Sequence, residues 1–333
     1  MAILRHNYCS IRSIVNVLPK HEVANVAFMS EAAFIDFKNK TGISSRRIVK
    51  SKSNPIFDYA KIGIEKSMQN LNWKSDEIDV FICITQTSDQ LFPPLSLRLH
   101  GDLGLSENAI CFDVNLGCSA YPYGLQLVYS LLESLGKPNA KAILCVGDIS
   151  STVIASDDAA LKPLFSDVIS VTTIEKETNK PNASYFHLQS FGSGQHAIYS
   201  DMNEAKPMMR MNGLDVFNYS YQFVPKNITE LVRFAQLEEK EIAFFVFHQA
   251  NRLINEAIRK RLQLEEEKVL YSIEEYANTA AASIPVTISA NAIHFSNHSK
   301  VLLCGFGVGF SIASALINWQ DDTFLELVEY DEN

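Results

Sequence analysis

The chain repeats a pattern at about half its own length, and no other feature limits its possible folds as tightly. Ser75-Asp76-Glu77 leads into the apolar run Ile78-Asp79-Val80-Phe81-Ile82-Cys83-Ile84, and 164 residues later Glu239-Lys240-Glu241 leads into Ile242-Ala243-Phe244-Phe245-Val246-Phe247. A second pair, Lys141-Ala142-Ile143-Leu144-Cys145-Val146-Gly147 and Lys300-Val301-Leu302-Leu303-Cys304-Gly305, is 159 residues apart. Short apolar strands look alike, so one match means little. Two at nearly one offset in a chain of 333 residues imply an internal duplication. We therefore expect an N-terminal half, 1–174, and a similar C-terminal half, 175–333. The most polar interval, Glu175 to Ser184 (EKETNKPNAS), marks their junction or a surface loop.

Helical patterns lie between the strands. Leu125, Val128, Leu131, Leu132 and Leu135 recur at helical spacing, and Gly136-Lys137-Pro138 then stops the helix. Leu253 to Leu262 is another helix, with Arg252, Arg259, Lys260 and Arg261 on or near its exposed side. Continuous apolar strands alternating with helices predict an α/β fold whose largely parallel sheet is covered on both faces. The uncharged run from Val301 to Ile317 is too short to span a bilayer, and Gly305, Gly307 and Gly309 break it. It reads as strand, tight turn, strand, with no membrane insertion.

Charge and composition remove other classes. A net charge of −9 disfavours nucleic acid as a partner, because phosphate neutralisation needs a basic surface. A hydrophobic content of 47% argues against disorder. The six cysteines, Cys9, Cys83, Cys111, Cys118, Cys145 and Cys304, contain no C-x-x-C pair and sit mostly in apolar runs. Buried thiols in a reducing compartment fit that pattern better than disulfides or zinc. Around Arg5, His6, Arg12 and Lys20 there is no continuous apolar stretch of the secretory kind, so a cytoplasmic location is expected.

Three places could carry chemistry. In Asn115-Leu116-Gly117-Cys118-Ser119-Ala120-Tyr121 a strand, Ala109 to Val114, runs through a glycine turn into a helix. A thiol at a helix N-terminus meets the positive end of the helix dipole, which favours thiolate. Read alone, Cys118 is equally a small residue packed at a tight turn. His248, in Phe247-His248-Gln249-Ala250-Asn251, ends an apolar strand at the edge where α/β proteins place their sites, or is a satisfied structural histidine. Asn278 precedes the small-residue run Thr279 to Ser283 and could be a simple helix cap. Together the three supply a nucleophile, a proton-handling group and a second donor.

These motifs, in this order and spacing, resemble the β-ketoacyl-acyl carrier protein synthase III family of the thiolase-like superfamily over essentially the whole chain. The resemblance is carried by the Cys118 turn, His248 to Asn251, Asn278 to Pro285 and the late Gly305-Phe306-Gly307-Val308-Gly309-Phe310 turn. Thr41-Gly42-Ile43 with Arg46-Arg47, Thr87-Ser88 with Phe92-Pro93, and Met211-Asn212-Gly213 with Val216-Phe217 support it. It implies a five-layered αβαβα fold from two similar halves, assembled as a homodimer. It implies that Cys118 takes an acyl group from a thioester, while His248 and Asn278 stabilise the enolate of a decarboxylating malonyl thioester. The product is a 3-oxoacyl thioester, and no cofactor or metal is called for beyond the thioester carriers, coenzyme A or acyl carrier protein. The backbone N–H groups of Cys118 and Val308 would hold the acyl-enzyme oxyanion. Phe92, Phe165, Met209 and Phe217 would shape the acyl pocket, with Phe92 reaching into a partner's. Arg252, Lys260 and Arg261 would receive an acidic carrier protein.

The sequence also departs from the family pattern. Asp36 and Val153 stand where typical members carry the Trp and Arg that sandwich the adenine of coenzyme A, which weakens the case for acetyl-coenzyme A as primer. Phe165-Ser166-Asp167-Val168-Ile169 replaces a glycine-rich turn, Ala277 replaces a glycine before Asn278, and Val308 replaces the usual glycine. We expect a specialised relative. Transfer of the acyl group to an alcohol or amine, and a silent subunit of a heterodimeric synthase, are the competing expectations. His294 and His298 have helical metal-ligand spacing but no acidic or Cys partner, so no metal is expected.

Overall fold

The structure is a computed structural model that describes residues 2–50, 55–201, 207–295 and 299–331. His298 lies outside them. Strands in the first part of the chain are β1 (Ala2–His6), β2 (Cys9–Pro19), β3 (Glu22–Ala24), β4 (Ser45–Arg47), β5 (Ile78–Ile84), β6 (Ile110–Val114), β7 (Lys141–Asp148) and β8 (Val168–Lys176). Then come β9 (Ser184–Ser190), β10 (Ile198–Asp201), β11 (Met208–Met211), β12 (Ile242–Phe247), β13 (Lys300–Gly307), β14 (Ser311–Asn318) and β15 (Phe324–Tyr330). The helices are α1 (Glu31–Thr41), α2 (Ile56–Leu71), α3 (Leu95–Leu103), α4 (Ala120–Ser134), α5 (Gly213–Phe234), α6 (Arg252–Arg261), α7 (Ile273–Tyr276) and α8 (Ser283–Ala290).

The repeat seen in the sequence is a repeat in space. A six-stranded sheet has the order β15-β2-β8-β7-β5-β6, and a five-stranded sheet the order β1-β9-β14-β13-β12. In each, the repeated apolar strands pair in parallel, β5 with β7 and β12 with β13. The register shifts at Ile78/Val80 in one pair and at Ile242/Phe244 in the other, the same place in both halves. The acidic lead-ins also fold alike: Lys74 N–H donates to Glu77 at 2.7 Å, and Glu238 N–H to Glu241 at 2.8 Å. The second sheet lacks a full counterpart of β6, which shrinks there to a single parallel bridge between Phe245 and Val269.

The sheets are mixed, which corrects the expectation of a largely parallel one. β8 runs antiparallel to both β2 and β7, and β14 antiparallel to both β13 and β9. The cause is local: β13 turns straight back into β14 through residues 308–310, with no crossover helix to make the pair parallel. That hairpin is the strand, turn, strand expected of Val301 to Ile317. The polar interval after β8 connects the two sheets, since β8 belongs to one and β9 to the other.

Helices complete five layers. α2 and α3 cover the outer face of the six-stranded sheet, α4 and α8 lie between the sheets, and α5 and α6 cover the outer face of the five-stranded sheet. α4 buries Tyr121, Leu125, Val128 and Leu132 completely because sheets flank it on both sides. Each such side chain contributes about 1.5–3 kcal/mol. Gly124 permits this approach, since a Cβ there would lie 2.8 Å from Ile84 and Leu144 methyls. All six cysteines are free thiols, only Cys111 among them less than fully buried. No helix among the described residues is long and apolar enough to cross a membrane.

Candidate active site

Cys118 ends the turn between β6 and α4, two residues before the helix begins. Its position is set by glycines of the opposite half. A Cβ on Gly305 would lie 2.8 Å from the Cys118 carbonyl oxygen, and one on Gly307 2.8 Å from the Cys118 Cβ and 3.0 Å from its sulfur. Gly307 also has a φ of 154°. Backbone N–H groups of Val308 and of Cys118 itself are directed at the sulfur. Val308 provides this without a positive φ, so β-branching does not prevent it. The expectation of a thiolate is corrected, however. Burial, followed by the nearby charge of Asp148, pushes the Cys118 thiol up to about 12, outweighing the two N–H donors.

His248 follows β12, and its N–H donates to the Cys304 carbonyl at 2.8 Å, extending the parallel pairing by one residue. The ring edge packs on Phe306, and Nδ1 lies 2.6 Å from Ser283 Oγ. Ser283 Oγ also accepts from the Gln249 N–H at 3.3 Å, so the hydroxyl ties the imidazole to the backbone after β12. Burial lowers the His248 pKa to about 3, with a backbone hydrogen bond to Ala280 opposing it. The ring is therefore neutral at physiological pH. Asn278 is clamped through its backbone: its N–H donates to the Leu164 carbonyl and its carbonyl accepts from Ser166, both at 3.0 Å. Its Oδ1 accepts from Ala280 N–H at 2.9 Å, which turns Nδ2 the other way. Ala277, where a glycine was expected, sits at φ 53°, ψ −155°, a conformation glycine adopts more readily.

These three residues line one narrow cavity of about 50 Å³ with Phe165, Met211 and Val216. Cys118 comes from the first half, His248 and Asn278 from the second. Of the expected acyl-pocket residues only Phe165 lines it. Met209 lies in an adjoining cavity of about 230 Å³ with Gln86, Asn115, Val153 and Val308. Phe217 is replaced by its neighbour Val216, because on α5 one residue is a rotation of about 100° and only Val216 points inward. Phe92 is 77% exposed and lines neither cavity. Arg252, Lys260 and Arg261 are exposed on α6. Arg252 starts that helix beside Gly42, and Arg261 lies over the Tyr221 ring. Asp36 pairs with Lys40 on α1 at 2.7 Å.

Sequence reasoning missed Asp148, although an acid closing an apolar strand was a visible signal. It is 4% exposed. Its Oδ1 accepts from the Gln86 N–H at 2.7 Å and from Thr85 and Thr87 hydroxyls at 3.1 and 3.3 Å, and the carboxylate also accepts from the Ala281 N–H. It thus ties the loop after β5 to the segment following Asn278. Because its charge opposes the Cys118 thiolate, Asp148→Asn should move the midpoint of Cys118 alkylation by iodoacetamide to lower pH. An unmoved midpoint would show that the carboxylate does not act on the thiol.

A buried thiol facing a neutral imidazole and a carboxamide, at the seam of two duplicated α/β halves, defines an enzyme of the thiolase-like fold. The family model described as 3-oxoacyl-[acyl-carrier-protein] synthase III matches residues 112–192, and its C-terminal companion matches residues 232–319. A putative 3-oxoacyl-[acyl-carrier-protein] synthase 3 of Campylobacter jejuni is 30% identical over 307 residues, covering 85% of this chain and 84% of that one. A β-ketoacyl-[acyl-carrier-protein] synthase III of Acholeplasma laidlawii is 30% identical over 281 residues, covering 84% and 87%. The crystal structure of a 3-oxoacyl-(acyl-carrier protein) synthase from Burkholderia xenovorans superposes with a TM-score of 0.92 at 27% identity, covering 98% and 99%. The chain belongs to the 3-oxoacyl-acyl carrier protein synthase III family, condensing enzymes of the transferase class.

Proposed function

We propose that the protein makes a 3-oxoacyl thioester in two half-reactions at the cavity shared by Cys118, His248 and Asn278. In the first, Cys118 Sγ attacks the carbonyl carbon of an acyl thioester. The carrier's C–S bond breaks, and its thiol leaves with the proton. His248, held neutral by burial, does not keep that proton. In the second, a malonyl thioester loses CO₂, and the electron pair moves onto its carbonyl oxygen. Nε2–H of His248 and Nδ2–H of Asn278 hold the resulting enolate. Its carbon attacks the acyl-cysteine, the N–H groups of Cys118 and Val308 hold the new oxyanion, and collapse breaks the acyl C–S bond, releasing the product and the Cys118 thiolate, which takes a proton from water. The observation that carries this reading is the convergence of the three side chains, all at most 8% exposed, in one cavity. A dry site is where fixed donors stabilise developing charge most.

We further read the exposed cations Arg252, Lys260 and Arg261 as a dock for an acidic acyl carrier protein, supported by their place on an otherwise acidic chain. Exposure of Leu91 and Phe92, at 89% and 77%, supports a homodimer in which Phe92 enters the partner's acyl pocket. The free thiols favour the cytoplasm. Asp36 and Val153 support a specialised pathway with a primer other than acetyl-coenzyme A.

Intact-protein mass spectrometry tests the sequence of events. The enzyme is incubated with acyl-coenzyme A and acyl-carrier-protein donors, and malonyl carrier protein is then added. An adduct discharged as 3-oxoacyl product with CO₂ is the expected result. An adduct that malonyl carrier protein never discharges would instead mean transfer to another acceptor, and no adduct from any donor would mean a silent subunit.

A further inference from the structure

Asp148 closes β7 in the first half, yet part of what it holds belongs to the second. Four groups donate to its carboxylate. The Thr85 and Thr87 hydroxyls and the Gln86 N–H come from the loop after β5, and the Ala281 N–H comes from the segment that carries Asn278. An ionised carboxylate accepts from all four at once. The loop end is packed on the nucleophile's own turn, since a Cβ on Gly117 would lie 2.6 Å from Gln86 Oε1.

The Ala281 end reaches the donors for the enolate. Ala280 is the node there: its N–H donates to Asn278 Oδ1 at 2.9 Å, and its backbone also bonds the His248 ring. Ala277 and Ala280 sit at φ 53° and 46°, in the left-handed region that L-residues seldom occupy. Such conformations persist only where the surroundings over-determine them. Asp148 supplies one of these restraints, on the N–H of the very next residue. Without it the peptide after Ala280 loses its acceptor, and relaxation of Ala280 would shift the Asn278 amide and the His248 ring together. The same carboxylate bears on the thiol in the opposite sense. Its charge disfavours the Cys118 thiolate, and no other charged group acts on the sulfur among the described residues: His248 is neutral, and the remaining contacts are the N–H groups of Val308 and Cys118.

We infer that Asp148 is a positioning residue with opposed effects on the two half-reactions, its charge slowing acylation of Cys118 and its bond to Ala281 holding His248 and Asn278 in place for the enolate. This rests on the two-step reading given above and adds a residue to that same site. The test follows acylation by intact mass with the donors used above and, on enzyme already acylated, the release of labelled CO₂ from malonyl carrier protein. In Asp148→Asn, acylation at neutral pH should quicken about threefold. Losing a like charge lowers the thiol pKa by about one unit, and about half of the tenfold gain in thiolate, on a logarithmic scale, is cancelled by weaker nucleophilicity. CO₂ release should slow about tenfold, the cost of displacing donors by a fraction of an ångström. Asp148→Glu keeps the charge but moves the carboxylate, so it should slow CO₂ release without quickening acylation. Thr85→Val removes a bond to the same carboxylate but neither the charge nor the Ala281 contact, so it should not drive the two rates in opposite directions. A merely structural Asp148 would lower both rates together in Asp148→Asn. That result overturns the inference, as does acylation that fails to quicken or CO₂ release that fails to slow. Should Asp148→Asn not fold, Asp148→Glu decides alone, and both rates lowered together would again overturn it. Failure of every donor to acylate the wild type overturns the two-step reading and this inference with it.

Discussion

Cys118→Ala should take up no acyl group from any thioester and should lose at least about 10⁴-fold in condensation rate, the scale seen when a nucleophile acting as part of a unit is removed. His248→Ala should fail differently. Its thiol and both backbone donors remain, so an acyl-enzyme should still form, but CO₂ release from the malonyl thioester should slow by about 10²–10³-fold, as when one oxyanion donor is lost. The two side chains share a cavity yet serve different electron movements, and the pair of variants separates them. Mass spectrometry reads the first half-reaction, and labelled CO₂ the second. Unchanged CO₂ release in His248→Ala would place decarboxylation elsewhere. The pH profile adds a check. With its pKa lowered to about 3, His248 gains no proton between pH 8 and pH 5, so the decarboxylation rate should not fall through an imidazole titration in that range.

Gly307→Ala should be the most damaging change outside the three side chains. The new methyl would sit 2.8 Å from the Cys118 Cβ and 3.0 Å from the sulfur, at a φ of 154° that L-residues seldom adopt. Two costs of about 1–3 kcal/mol each combine, one from backbone strain and one from overpacking. The melting temperature should drop by several degrees or more. What relaxation remains must move the thiol, and displacement of about 1 Å from its donors costs about 10² in rate. Gly136→Ala is the control, since nothing lies within 4 Å of its would-be Cβ. Equal melting and equal acylation in the two variants would refute the view that Gly307 sets the position of Cys118.

The duplication and the three polar side chains of the cavity were legible because they depend on local sequence. An apolar run with an acidic lead-in looks the same wherever it occurs, and Cys, His and Asn stand out beside glycines and strand ends. Strand direction was legible only at the β13–β14 hairpin; β8, antiparallel to β2 and β7, follows a long connection that carries no such tight turn to mark it. Val216 rather than Phe217 lines the cavity, which only the rotation of α5 decides. Thiol acidity was misjudged for a related reason. The helix dipole can be read from sequence, whereas the burial that outweighs it, and Asp148 some 30 positions further on, are properties of the assembled molecule.

The terminal strands have a consequence for how the molecule can be made. β1 is laid against β9 in the five-stranded sheet, and β15 closes the edge of the six-stranded one by pairing with β2. Each half thus borrows an end strand from across the boundary. On a ribosome the early half cannot complete its sheet until Phe324 to Tyr330 has emerged, when nearly the whole chain is already outside. Such pairing has a very high contact order, which slows folding and leaves the outer edge of β2 unpartnered in the interval.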